Sequence, residues 1–168
     1  KEPTQDKIRG FGLKDDTQEF FFDFAFHIPG MGHADVAALD LLSVVVGQGE
    51  QSRLVWKLHH TDRVVTGLQA YAYTPRDPGL MLVSGTASLE QPGHAVEATM
   101  EEVFRVLRDP IQEEELERAR TCVEADTVYE RETMQGIARK LGFYEVVAGD
   151  LKLEKEYYKG IAKADVGD

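Results

Sequence analysis

Residues Gly47 to Tyr73 read GQGEQSRLVWKLHHTDRVVTGLQAYAY, and the fold turns on how this stretch is parsed. Gly47 and Gly49 open it as a turn. Ser52-Arg53-Leu54 leads a short helix, with Ser52 as its N-cap and Leu54 and Leu58 docking it. From Thr66 the period changes to two. Thr66, Leu68, Ala70 and Ala72 share one strand face, and Gly67, Gln69, Tyr71 and Tyr73 share the other.

Upstream, Glu19 to His27 alternates in the same way, placing Phe20, Phe22, Phe24 and Phe26 on one aromatic face expected to pack against helices. Pro29, Gly30 and Gly32 end that strand. His33 to Gly47 reads as a buried helix with Asp35 in its first turn and Gly47 as its stop. Downstream, Thr74 to Gly79 is a turn by composition, and Leu80 to Leu89 returns as an antiparallel strand. Val96, Met100, Val103 and Leu107 mark a helix that stops at Asp109-Pro110. Gln112 to Gly149 is helical, with Leu116, Ala119 and Val123 as one apolar stripe and Met134, Ile137, Leu141 and Tyr144 as another. The polar run at Glu130–Thr133 predicts a break between them, with Thr133 capping the second piece. A last helix runs from about Leu151 to Ala164. This order predicts an α+β domain, one antiparallel sheet layered against helices. Residues 1–17 read as a lead-in arm, with a short edge strand expected around Ile8–Leu13, and residues 18–168 as one domain.

The 168 residues suffice for one core, and 42% hydrophobic with 29% charged residues is a globular balance. A net charge of −11 argues against nucleic acid or an anionic membrane as partner. It leaves a basic or extended peptide open, although excess acid ordinarily lies on solvated helix faces. The one cysteine, Cys122, cannot form an internal disulfide, so nothing marks an oxidising compartment; cytoplasm is favoured over periplasm. No apolar run approaches the length of a membrane-spanning helix, and no signal peptide is visible. The start at Lys1 suggests a piece excised from a longer chain.

Metal and nucleophile motifs fail on spacing. A helical zinc site needs histidines about one turn apart, as in His-Glu-x-x-His or His-x-x-Glu-His, and neither pattern occurs. The adjacent His59 and His60 should diverge by about 100° on an α-helix, so no metal site is expected in this chain. The Gly47–Ser52 loop follows a helix and lacks a phosphate-binding lysine. Ser52 has no Gly-x-Ser-x-Gly elbow around it, which leaves the capping role.

Several motifs together resemble a known family. They are Phe26-His-Ile-Pro-Gly30, the helix Ala38-Leu-Asp-Leu-Leu42, Gly47-x-Gly49-x-x-Ser52-Arg53-Leu54, and the Tyr71-Ala-Tyr-Thr-Pro-Arg-Asp-Pro-Gly79 return. Glu113-Glu-Glu-Leu-Glu-Arg-Ala-Arg120 and Glu145-Val-Val-Ala-Gly-Asp150 also fit. The pattern is similar to the second-type, C-terminal domain of the insulinase/pitrilysin zinc peptidases, the fold of the mitochondrial processing peptidase-like domain. The resemblance implies a structural role for Gly47, Gly49, Ser52, Arg53 and Leu54. It places His59 and Thr66 where active relatives carry a substrate-facing arginine and tyrosine. Neither side chain matches: a histidine can still donate to a carbonyl, but a threonine does not replace a phenol. This domain is therefore not expected to finish the active site itself, and the chain alone is predicted inactive.

The resemblance further implies zinc in a first-type domain of the parent protein, with no cofactor in this chain. The expected partners are neighbouring peptidase domains of the same polypeptide or a partner subunit, and a peptide substrate. An inactive binding or assembly module, using Gln69, Tyr71 and Tyr73 on an open sheet face, is the alternative. An independent hydrolase built on His59 and His60 is the weakest reading.

Overall fold

The computed structural model describes residue 5, residues 7–106 and residues 108–167. Pro3, Leu107 and Asp168, used in the sequence reading, lie outside the described residues. Three strands form one antiparallel sheet in the order β1-β3-β2: β1 is Phe20–Ile28, β2 is Gly67–Tyr73 and β3 is Gly79–Ala87. The helices are α1 (Val36–Gly47), α2 (Pro92–Val106), α3 (Glu113–Arg131), α4 (Met134–Gly142) and α5 (Lys152–Lys163). Two short segments, Val55–Thr61 and Phe143–Ala148, wind more widely as π-helix. The α+β class is as expected.

Register fixes the two faces of the sheet. Phe22 and Leu68 flank Gly85, and Phe24 and Ala70 flank Val83, all on the inner face. A β-carbon on Gly85 would fall 2.3 Å from the Phe22 ring, so the glycine is what lets that phenyl lie flat across β3. The opposite face carries Asp23, Ser84 and Gln69 in one row and Ala25, Leu82 and Tyr71 in the next.

Helix α1 is the middle layer. One side meets the sheet, chiefly β2, and contributes Val46 to a core with Phe22, Leu54, Leu58, Val65, Ala70, Val83, Ala87 and Ala95. The other side presents Ala37, Leu41, Val44 and Val45 to Leu116 and Ala119 of α3 and Ile161 of α5. A helix covered on both sides must be apolar nearly all round, which is how its sequence reads.

Several expectations need correction. The aromatic face of β1 is buried only in part: Phe20, Phe22 and Phe24 join the core, but Phe26 is exposed, because it pairs with Met81 towards the 74–79 turn and outside that cluster. No strand forms among the described residues before β1. Ile8, Phe11 and Leu13 are all exposed, since no neighbouring strand pairs with them. Residues 33–35 form a turn ahead of α1 rather than its first turn, and β3 stops at Ala87 with Leu89 exposed. The second apolar stripe is mostly unburied. Met134 is 83% exposed and Leu141 is exposed, and only Tyr144 reaches the interior. The predicted break is present, and the Thr133 hydroxyl accepts from the Gly136 N–H as a cap.

Candidate functional site

The two glycines of the opening stretch differ in purpose. Gly47 ends α1, as its reading as a helix stop expected, and does not itself make the turn; a β-carbon there would lie 2.5 Å from the Ala70 nitrogen. It sets how closely α1 approaches β2. Gly49 has φ +82° with open space around it and makes the turn.

Ser52 begins the helix, and its carbonyl accepts from the Trp56 N–H. The hydroxyl does not cap as expected; it turns back and donates to the Gly49 carbonyl at 2.7 Å. At 2% exposure and with its hydrogen committed, it is closed off as a nucleophile. Leu54 and Leu58 are fully buried, as their docking role requires.

Arg53 holds more of the structure than its place in a motif suggests. Its Nε and Nη2 donate to the two Glu115 carboxylate oxygens at 2.7 and 2.5 Å, and Nη1 and Nη2 donate to the carbonyls of Asp109 and Pro110 at 2.9 Å each. Glu115 also accepts from the Gln112 N–H at the start of α3. This bidentate bond, helped by that N–H, holds Glu115 below the usual carboxylate range, and the same bond raises Arg53. One planar cation thus ties the short helix to the α2–α3 connection.

The wide segment Val55–Thr61 changes the geometry of the histidines. Asp62 N–H bonds to the Lys57 carbonyl, five residues back, and Arg63 follows at φ +55°. His59 and His60 do not diverge as on an α-helix. Their ring centroids are 4.8 Å apart, and His60 Nε2 lies 2.5 Å from Glu50 Oε2. His59, expected at a substrate-facing position, is half-buried beside His60. Thr66, the other such position, donates to Glu19 at 2.8 Å and also meets the Thr86 hydroxyl at 2.9 Å, where β1, β2 and β3 come together. The structure gives the two residues no shared hydrogen-bond partner.

A cleft of about 450 Å³ opens between α1, β2, α3, α5 and the Phe143–Ala148 segment. Asp40 accepts there from the Tyr157 hydroxyl at 2.8 Å. Burial pushes the Asp40 carboxyl up to about 6, with the Tyr157 bond opposing the rise. Tyr158 receives both Thr127 Oγ1 (2.9 Å) and Lys140 Nζ (2.5 Å), and Lys140 also pairs with Glu130 at 3.1 Å. Burial would lower Lys140, but its bonds to Tyr158 and Glu130 outweigh this and raise it. The sequence reading missed this cluster. Its one visible signal was Asp40, an acid inside an otherwise apolar helix.

The outer sheet face is uncovered, with Phe21 and Tyr73 about three-fifths exposed and Tyr71 also exposed. Asp23 accepts from Ser84 in its centre. The peptidase zinc pattern has no counterpart here: among the described residues, the grouping able to hold a metal is Glu50, His59 and His60. That grouping holds a sequence-adjacent pair, His59 half-buried and His60 exposed, not two helical histidines a turn apart. No helix among the described residues is long and apolar enough to cross a membrane.

Comparison with known proteins follows the same lines. Residues 1–122 match the family described as the peptidase M16 inactive domain. No curated protein matches the chain. A protease from Helicobacter pylori superposes with a TM-score of 0.84 at 21% identity, covering 92% of this chain but 37% of its own. A peptidase M16 inactive domain from Pseudomonas fluorescens gives 0.79 at 14% identity, covering 90% of this chain and 36% of its own. The inactive peptidase domain of a candidate zinc protease from Bordetella parapertussis gives 0.80 at 18% identity, with 92% and 84% covered. The chain therefore spans little more than a third of the first two structures, and at these identities the likeness is one of fold.

Proposed function

Because the chain belongs to the family of peptidase M16 inactive domains, we propose that it is the non-catalytic part of a zinc metalloendopeptidase. In this reading residues 18–168 pack against a zinc-bearing domain and line its peptide chamber, while residues 1–17 form the arm leading in. The observation that carries the proposal is the uncovered apolar surface. Phe21, Tyr71 and Tyr73 stand on the open sheet face, and Ile8, Phe11 and Leu13 stand exposed on the arm. Exposed aromatic and aliphatic side chains in this number, on an uncovered sheet face and on the segment before it, support an interaction role. Ser52 is spent, and His59 and Thr66 supply no matched donor pair for a developing oxyanion.

The test uses the longer polypeptide, or the subunit pair, that contains this chain. Replacing Phe21 and Tyr71 together by Arg should lower kcat/KM at least tenfold, while the zinc held by the His-x-x-Glu-His domain stays at one equivalent. Unchanged turnover would remove the chamber role. The absence of any His-x-x-Glu-His domain in the same chain or a co-purifying subunit would favour the assembly-module reading.

A further inference from the structure

We propose that Glu50, His59 and His60 form a site for a divalent transition cation of the zinc class, separate from any peptidase zinc and independent of the chamber role. One ligand atom from each residue, two imidazole nitrogens and a carboxylate oxygen, lies within 4.8 Å of the other two. Imidazole and carboxylate together suit zinc or cobalt better than magnesium or calcium, which favour all-oxygen shells.

The distances permit closure with small movements. Metal bonds of ~2.0–2.2 Å in a tetrahedron place ligand atoms ~3.3–3.5 Å apart. The widest gap must shrink by roughly 1.3 Å, and the 2.5 Å contact between His60 Nε2 and Glu50 Oε2 must open by about 1 Å. Glu50 can open its contact with His60, because its side chain is 78% exposed and extends into solvent.

The backbone beneath is fixed independently of the metal. Glu50 follows Gly49, whose carbonyl is held by both the N–H and the hydroxyl of Ser52. The histidines follow the buried Leu58, and the turn beyond them is closed by Asp62 N–H to Lys57 and by the Thr61 hydroxyl to the Trp56 carbonyl at 3.0 Å. The Trp56 ring lies beside that of His60, with centroids 5.8 Å apart. Lys57, the cation built into this helix, is paired with Asp62 at 2.9 Å.

A cation held by His60 Nε2 takes the place of the contact with Glu50, and the neutral imidazole then carries its hydrogen on Nδ1. Three protein ligands leave at least one coordination position facing solvent for water or for a donor from another chain. Binding would cross-link the Gly49 turn to the wide helix.

The experiment is a titration of the tag-free, chelator-stripped chain with Co(II), read by visible d–d absorption, and with Zn(II) in competition with a chromophoric chelator. One equivalent should bind. Glu50→Gln, His59→Ala and His60→Ala should each weaken binding at least tenfold, and His94→Ala should leave it unchanged. In the histidine side-chain NMR spectrum, two of the five rings should respond to one equivalent of Zn(II). The absence of saturable one-equivalent binding overturns the proposal, as does binding that survives the His59→Ala/His60→Ala pair. Glu50→Gln guards against misfolding as the explanation, because the side chain lies in solvent; circular dichroism confirms that each variant is folded.

Discussion

Arg53 shows how much one side chain can organise when its geometry is planar and its partners converge. Four donated bonds reach Glu115, Asp109 and Pro110, and the pair is only about one-fifth exposed on each side. A lysine in this place is a point charge and cannot span a carboxylate and two carbonyls at once. Arg53→Ala should lower stability by about 2 kcal/mol, discounted from the ~3–5 kcal/mol of a fully buried pair because water reaches this one. Arg53→Lys should recover less than half of that. Urea unfolding of both variants checks it; a lysine variant as stable as the parent would show that charge alone matters there. Sequence reading placed Arg53 correctly in the first turn of a helix, but nothing local announced that its partner stands 62 positions later.

At the scale of elements, the approach of α1 to β2 rests on Gly47, and the turn between α1 and the short helix rests on Gly49. These make opposite demands. A methyl at Gly47 meets the Ala70 backbone and side chain at 2.5–2.6 Å, inside van der Waals contact, and helix and strand would have to separate. A methyl at Gly49 meets nothing within 4 Å, so only the left-handed backbone is strained. Gly47→Ala should therefore cost roughly 2–3 kcal/mol as overpacking, and Gly49→Ala about 1 kcal/mol. Thermal unfolding of the two variants should show the larger drop at Gly47; the reverse order would mean that α1 can shift freely on the sheet. In sequence Gly47 reads as the stop of α1 and, with Gly49, as a turn residue; the stop holds, but its close approach to Ala70 leaves no local trace.

For the whole molecule, the pH dependence of stability combines two carboxyls that pull in opposite directions. The Asp40 carboxyl is raised from 3.8 to about 6, so between those values the folded state holds a proton that the unfolded chain has lost. Its contribution to stability falls as pH rises through that window. Glu115 is lowered, so its contribution is present above the unfolded value and is lost as pH falls through the folded one. With a net charge of −11 at pH 7, self-repulsion also eases in mild acid. Asp40→Asn keeps an acceptor for Tyr157 and removes the buried charge. It should gain about 1–2 kcal/mol over the parent at pH 7.5 and little at pH 4, a gain below the ~3 kcal/mol that two pKa units represent, because a charged hydrogen bond is lost. Urea midpoints at the two pH values measure this, and equal midpoints at pH 7.5 would place the Asp40 carboxylate in contact with water.

The stretch Gly47–Tyr73 was legible wherever its meaning is local. Period-two alternation sorts Leu68 and Ala70 from Gln69 and Tyr71 without reference to any other residue. The all-round apolarity of α1 announces a buried layer, and Thr133 announces a cap, because propensity and burial are written in neighbouring residues. Tertiary structure alone decided what depends on distant partners. It exposed Phe26 and Met134, which look like core in sequence but lie where no other element among the described residues covers them. It sent the Ser52 hydroxyl back to Gly49 and joined Arg53 to Glu115. It also brought His59 and His60 together beside Glu50, on a wide turn that follows the buried Leu54 and Leu58.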